Sequence, residues 1–254
     1  LNSISSESQI IGLIPARWAS SRFPGKPLHP LLGKPLLQHV YERVQQCQQL
    51  DEIIIATDDE RIRKTAENFG ATVVMTAAEH PTGTDRIAEA ATNFPKATHF
   101  INIQGDEPLI EPELIDELAT LMSQDCGIDL ITAASPLTDD SQQHDPNIVK
   151  VVLNARSEAL YFSRSCIPFP RVADAVQPLR HIGLYGYRAD FLQKFVTWPP
   201  APLEIAESLE QLRALHHGAR IRVVPTHHDA IGLDSPDQIA LLESLLQKLP
   251  PISS

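Results

Sequence analysis

The sequence predicts an α/β fold, with a mostly parallel mixed sheet and a small antiparallel lobe in the second half. Three observations carry this prediction. Short apolar runs alternate with helix-length amphipathic stretches up to about residue 125, the rhythm of a parallel sheet joined by right-handed crossovers. Cations and turn formers gather just after those runs, where open α/β sheets bind ligands. After about residue 128 the apolar runs follow one another without long helices between them, as antiparallel strands do. The 254 residues suffice for a substantial core and read as one domain in two halves, about 10–125 and about 126–248.

Taken in order, Ile10 to Ile14 is a wholly apolar run and reads as a buried first strand. Pro35 to about Cys47 reads as a helix with proline in its first turn. A strand at Ile53 to Ala56 precedes a helix from about Asp59 to Phe69, which Gly70 stops. Thr72 to Met75 is the next strand, and about Thr84 to Asn93 the next helix. The strand His99 to Ile103 leads into a Gly105–Pro108 turn, and a helix begins near Pro112. In the second half, Ile128–Ala134, Val149–Leu153, Ala159–Phe162 and His181–Tyr187 read as mixed or antiparallel strands, part extending the sheet and part forming a lid. One helix from about Leu203 to His216 carries Leu209, Leu212 and Leu215 on a single stripe. A strand at Ile221–Val224 and a helix from about Pro236 to Leu246 finish the pattern, and both chain ends are expected to fray.

Composition narrows the function classes. The net charge of −11, from 21 basic and 32 acidic side chains, opposes binding to nucleic acid or to an anionic membrane. No apolar run is long enough to span a bilayer. Cys47, Cys126 and Cys166 are an odd, scattered set, which suits a reducing cytoplasm better than a disulfide scaffold, and the N-terminal stretch lacks a signal-peptide core. An anionic ligand must therefore be met by cations concentrated in one place.

That concentration follows the first strand. Arg17, Arg22 and Lys26 share a loop of small residues closed by Pro24-Gly25. The planar arginine fork and the lysine point charge are complementary ways to hold phosphate oxygens. The loop is not a Walker A motif, since Ser20 stands where the first glycine belongs and Pro27 follows the lysine. No Gly-x-Gly-x-x-Gly occurs, so a dinucleotide turn is unsupported as well. Gly25-Lys26-Pro27-Leu28 recurs as Gly33-Lys34-Pro35-Leu36, too short an echo to mark a repeat.

A triphosphate calls for a hard cation, and magnesium takes one or two protein carboxylates with phosphates and water. Asp106, after a fully apolar strand, is the first candidate ligand, and Asp234 in Gly232-Leu233-Asp234-Ser235-Pro236 the second. Each has a plainer reading, Asp106 as a turn former and Asp234 as a helix cap. His80 to Arg86 forms a polar turn entering a helix, able to offer N–H groups and a cation or simply to cap that helix. Arg164, His181 and Arg188 add cationic or donor groups, and Glu210 and Gln211 flank the apolar stripe of their helix. His216-His217 and His227-His228 lack the i, i+4 spacing of a helical zinc site, and no Gly-x-Ser-x-Gly elbow is present.

Together these motifs resemble those of the 3-deoxy-manno-octulosonate (KDO) cytidylyltransferases, almost end to end from about Ile10 to Leu246. The resemblance rests on Ile14-Pro15-Ala16-Arg17, Pro24 to Leu28, Thr57-Asp58, Gly83-Thr84-Asp85-Arg86 and Asn102 to Pro108. It continues through Tyr161 to Arg164, His181 to Arg188, Leu209 to Arg213 and Gly232 to Pro236. It implies a nucleotidyltransferase-type three-layer sandwich, usually a homodimer in the cytoplasm. It also implies the reaction CTP plus KDO to CMP-KDO plus pyrophosphate, with Mg2+ as cofactor, for lipopolysaccharide biosynthesis. By the same resemblance Arg17, Arg22 and Lys26 hold the triphosphate, while Pro15, Ala16, Gly83, Thr84 and Arg86 help hold the cytidine. Asp106 and Asp234 become the metal ligands, with Gln104, Arg164, His181, Tyr185, Glu210 and Gln211 around the sugar. The first half is then the nucleotide-binding half, and the second carries sugar binding and dimerisation.

Three positions depart from the family pattern: Trp18 for tyrosine, Phe23 for leucine and Thr82 for serine. Thr82 alone adds a group, a methyl, near the expected nucleotide site. The implied chemistry is in-line attack of the sugar's anomeric hydroxyl on the α-phosphorus, driven by positioning and charge stabilisation. The alternatives are a cytidylyltransferase for 8-amino-KDO or a sialic acid, a glycosyltransferase, which would usually show an Asp-x-Asp motif absent from this chain, or a nucleotide-binding regulator.

Overall fold

The first apolar run is buried on both sides, and that sets the architecture. In the computed structural model, which describes residues 8–19, 23–172, 175–228, 231–233 and 235–249, the run forms β1 (Ile10–Ala16). A 3-10 turn (Lys26–Leu28) and a two-residue hairpin, β2 (Pro30–Leu31) and β3 (Lys34–Pro35), lead into α1 (Leu36–Val44). Next come β4 (Glu52–Thr57), α2 (Glu60–Asn68), β5 (Thr72–Met75), α3 (Gly83–Ala91), β6 (His99–Asn102) and α4 (Pro112–Gln124). The second half holds β7 (Leu130–Pro136), α5 (Asp140–Gln143), β8 (Lys150–Leu153), β9 (Ala159–Ser163) and β10 (Leu179–Arg188). It continues through α6 (Ala189–Phe195), α7 (Pro202–Glu207), α8 (Gln211–His216) and β11 (Ile221–Pro225). A 3-10 turn (Pro236–Gln238) and α9 (Ile239–Leu246) follow.

The main sheet runs β11-β7-β10-β6-β1-β4-β5. Every strand on this path points the same way except β10, which is antiparallel to both β6 and β7. The β8–β9 hairpin branches from β10 as the small antiparallel lobe. Alternation along β1 splits the core between two helical layers. Ile10 and Ile14 face α1 and α4, packing with Leu37, Val40, Leu114 and Leu118. Ile11 and Leu13 face α3, α6 and α8, packing with Ile87, Phe191, Phe195 and Leu212. Sheet between helices on both faces is the three-layer sandwich expected. A third cluster, Leu31, Leu36, Leu233 and Leu242, seats α9 on the β2–β3 hairpin.

The structure corrects three readings. The helix expected from about Leu203 to His216 is two, α7 and α8, broken at Ser208 in the left-handed region at φ 51°. The break has a partner that the stripe of leucines does not reveal: Arg164 Nε donates to Glu207 O at 2.7 Å and its Nη2 to Ser208 O at 3.3 Å, which satisfies carbonyls a continuing helix would have used. The run read from Pro236 as one helix starts as a 3-10 turn. Finally, α6 follows β10 without a break, where no helix was expected.

Candidate active site

At β1 the sheet neighbours connect in opposite directions, to β4 on one side and β6 on the other. Ligands collect beyond the carboxyl ends of strands at such a point. A cavity of about 210 Å³ opens there, lined by the end of β1, the Lys26-Pro27 turn, the start of α3 and Gln104–Asp106. Its walls require glycine at two places. A Cβ on Gly105 would stand 2.9 Å from the Pro15 carbonyl oxygen, so only a bare backbone allows the loops after β1 and β6 to meet. Gly25 has φ 72° and lies against the Trp18 indole, 2.9 Å from where its Cβ would be.

The loop after β1 is closed on itself. Gly25 N–H donates to Trp18 O at 3.0 Å, and the Arg61 guanidinium lies 3.4 Å from the Trp18 ring centre, a cation–π stack. Arg17 is exposed at the cavity rim. Lys26 Nζ contacts the Asp106 carboxylate directly, both side chains remaining partly exposed to the cavity. Arg22 lies outside the described residues.

On the opposite wall, Thr82 caps α3 by accepting the Asp85 N–H at 3.1 Å, and Gly83 follows it exposed. Arg86 is 3% exposed, with Nη2 3.2 Å from Asp58 Oδ1 and Nη1 donating to Thr76 Oγ1. Burial draws the Arg86 pKa down, and Asp58 opposes that shift. Asp58 and Thr76 thus fix the cation of this wall. Thr57-Asp58 was visible in sequence as a motif but not as a partner for Arg86, and nothing marked Thr76.

The residues expected around the sugar divide into three places. Gln104 lines the cavity and donates from Nε2 to Gly183 O at 2.9 Å, within the bulge that interrupts β10 between Ile182 and Tyr185. His181 and Tyr185 flank that bulge, their ring centres 5.3 Å apart, and Phe162 meets His181 edge-on. His181 Nε2 is 2.9 Å from Thr132 Oγ1, and burial pushes its pKa down to about 3. Burial likewise raises the Tyr185 phenol well above its ordinary value. Glu210 and the buried Gln211 stand at the start of α8, with Glu210 reaching across to α3. Arg164 is elsewhere, at the junction of β9 and α7, its guanidinium hydrogen-bonded to the carbonyls of Glu207, Ser208 and Pro146. Glu207, unmarked in sequence, receives Ser163 Oγ at 2.6 Å and Arg164 N–H at 2.9 Å.

The donor set suits a hard cation that brings its own phosphate ligands. Among the described residues no three His, Cys, Asp or Glu side chains converge as a cage, whereas Asp106 offers one carboxylate at the cavity. The segment preceding Asp234 docks on that turn: Leu233 N–H donates to Asp106 O at 2.9 Å. Asp234 itself lies outside the described residues. Of the paired histidines, His217 stacks on Trp198 with ring centres 4.1 Å apart.

A sheet switch point, a cation-bearing loop and a capped helix start around one cavity define a nucleotidyltransferase-type fold, and residues 11–221 match a family model described as cytidylyltransferase. The 3-deoxy-manno-octulosonate cytidylyltransferase of Syntrophotalea carbinolica is 48% identical over 249 residues, covering 94% of this chain and 99% of that one. The enzyme of the same name from Geobacter sulfurreducens is 46% identical, covering 94% and 99%. A solved structure of CMP:2-keto-3-deoxy-manno-octonic acid synthetase complexed with CTP is 41% identical, with a TM-score of 0.92 over 95% of this chain and 100% of that one. The chain belongs to the 3-deoxy-manno-octulosonate cytidylyltransferase family.

Proposed function

We propose that this protein transfers a cytidylyl group from CTP to KDO, releasing pyrophosphate and supplying CMP-KDO for lipopolysaccharide biosynthesis. The observation that carries the reading is the meeting of Lys26 and Asp106 at one cavity mouth, between the β1 loop and the Gly83–Arg86 turn. Arg17, Arg22 and Lys26 neutralise the triphosphate and orient it, so that charge developing on the α-phosphoryl oxygens and the leaving pyrophosphate meets fixed cations. The backbone at Pro15-Ala16, the Gly83-Thr84 N–H groups and Arg86 hold the cytidine. Gln104, His181, Tyr185, Glu210, Gln211 and Arg164 surround the sugar. The near-neutral state of His181 over the working range makes it a neutral donor or acceptor rather than a cation. Asp106 and Asp234 hold Mg2+, which when bound supplies charge neutralisation and makes a coordinated hydroxyl more acidic.

We place the protein in the cytoplasm as a homodimer; no helix among the described residues is long and apolar enough to cross a membrane. The test is pyrophosphate release from CTP and Mg2+ with KDO, 8-amino-KDO or N-acetylneuraminate, and mass detection of the CMP-sugar. KDO-dependent release is expected, falling by at least about 100-fold in Lys26→Ala and Asp106→Ala with thermal melts nearly unchanged. Wild-type turnover in either variant, or release with only another sugar, refutes this assignment.

A further inference from the structure

The Thr82 hydroxyl has one proton and two carboxylates beside it. Its Oγ1 lies 2.7 Å from Asp85 Oδ2 and 3.1 Å from Glu210 Oε1. The same oxygen accepts the Asp85 N–H at 3.1 Å. Glu210 Oε2 is already served, 2.5 Å from Thr84 Oγ1. A single O–H cannot donate to both carboxylates, and with both ionised an anionic oxygen would face a lone pair.

The surroundings decide which carboxylate keeps its charge. Asp85 lies in the first turn of α3, where the helix end favours a negative group. Glu210 faces Tyr185 and Tyr187 on β10 and Asp85 on α3. The cation on its own helix, Arg213, is 3.7 Å away and is committed to Glu204 of α7, with Nε donating at 2.9 Å. Burial also raises the Glu210 pKa.

We propose that Glu210 is protonated in the substrate-free protein and acts as a positioning residue for the nucleotide turn. Its Oε1–H donates to Thr82 Oγ1, Thr82 O–H donates to Asp85 Oδ2, and Thr84 O–H donates to Glu210 Oε2. Each hydrogen then has one acceptor, and the start of α8 is tied to the start of α3. Ionisation removes the first link and places a second negative charge beside the turn. CTP affinity therefore weakens as pH rises through the Glu210 titration, a consequence that rests on the reading of this turn as nucleotide-holding.

Carbon-13 NMR of the full chain, labelled at glutamate carboxyls, tests the proton without any ligand. The resonance lost in Glu210→Gln is expected to stay at the neutral-acid position after the exposed glutamates have ionised, and to titrate above them. Titration together with the exposed glutamates overturns the proposal. Should Glu210→Gln fail to fold, Thr84→Val takes its place: losing the donor to Oε2 moves one glutamate titration upward, and no movement overturns the assignment. Calorimetry then compares CTP affinity across pH. The ratio of wild-type to Glu210→Gln Kd is expected to rise with pH, by up to about tenfold per unit above the titration, whereas a pH-independent ratio overturns the positioning role. An absence of CTP binding at any pH refutes cytidylyl transfer instead, and the NMR titration still judges the proton.

Discussion

At the scale of single residues, the site depends on a missing side chain as much as on those present. Gly105 lets the Pro15 carbonyl approach the Gln104–Asp106 turn, and a methyl there would meet backbone, which cannot rotate away. Gly105→Ala is expected to cost about 1–3 kcal/mol in urea unfolding and to weaken CTP binding by pushing the two walls apart. An unchanged CTP Kd would mean that the two loops are not coupled. Arg17, Lys26 and Asp106 were marked in sequence by their place just after apolar runs, and the structure brings these three to one cavity. Partners distant in the chain were not so marked. Asp58 and Thr76 around Arg86, and Glu207 behind Arg164, are set by tertiary packing that no local spacing encodes.

At the scale of elements, apolar runs bounded by turns placed β1, β4, β5 and β6 within one or two residues, β1 and β6 being buried on both faces and β5 a half-exposed edge, whereas the two-residue β2 and β3 carry no such run. The second half was harder to read. The leucine stripe, Leu209, Leu212 and Leu215, begins only after Ser208, while Leu203 and Ile205 of α7 are exposed, and the contact that stabilises the break comes from Arg164, 43 positions before Glu207, which no local spacing encodes. The same half presents apolar side chains to solvent around the β9 strand and the segment leading to β10. Phe169 is 82% exposed and Val172 69%, with Leu160 and Val176 also exposed. Exposed apolar side chains of this kind on a protein of net charge −11 are what a second copy would cover in the proposed homodimer. Sedimentation is expected to show two chains for the wild type and one for Phe169→Glu. Two chains in that variant would move the contact elsewhere.

Across the whole molecule, folding shifts several titrations, and their signs predict how stability follows pH. His181 is an uncharged base whose pKa falls from 6.5 to about 3 on burial; His99 is held down by burial as well. Both bind fewer protons folded than unfolded, so their stabilisation is present above 6.5 and is lost as pH falls below it, for His181 down to about 3. Glu158 adds to the loss at lower pH, because Asn154, Arg220 and Arg156 lower its pKa from 4.5 to about 2. Glu210 has the opposite sign: its raised pKa gives stability that is present below 4.5 and fades as pH rises through its folded value. The melting temperature is therefore expected to fall gently below pH 6.5 and steeply below 4.5. His181→Gln keeps a polar partner for Thr132 but removes the titration, so it should flatten the gentle limb and make the steep one shallower, leaving below pH 4.5 the loss that Glu158 contributes. Parallel curves for wild type and variant between pH 6.5 and 4.5 would mean that His181 is already charged in the folded protein, and its proposed role toward the sugar would then be that of a cation.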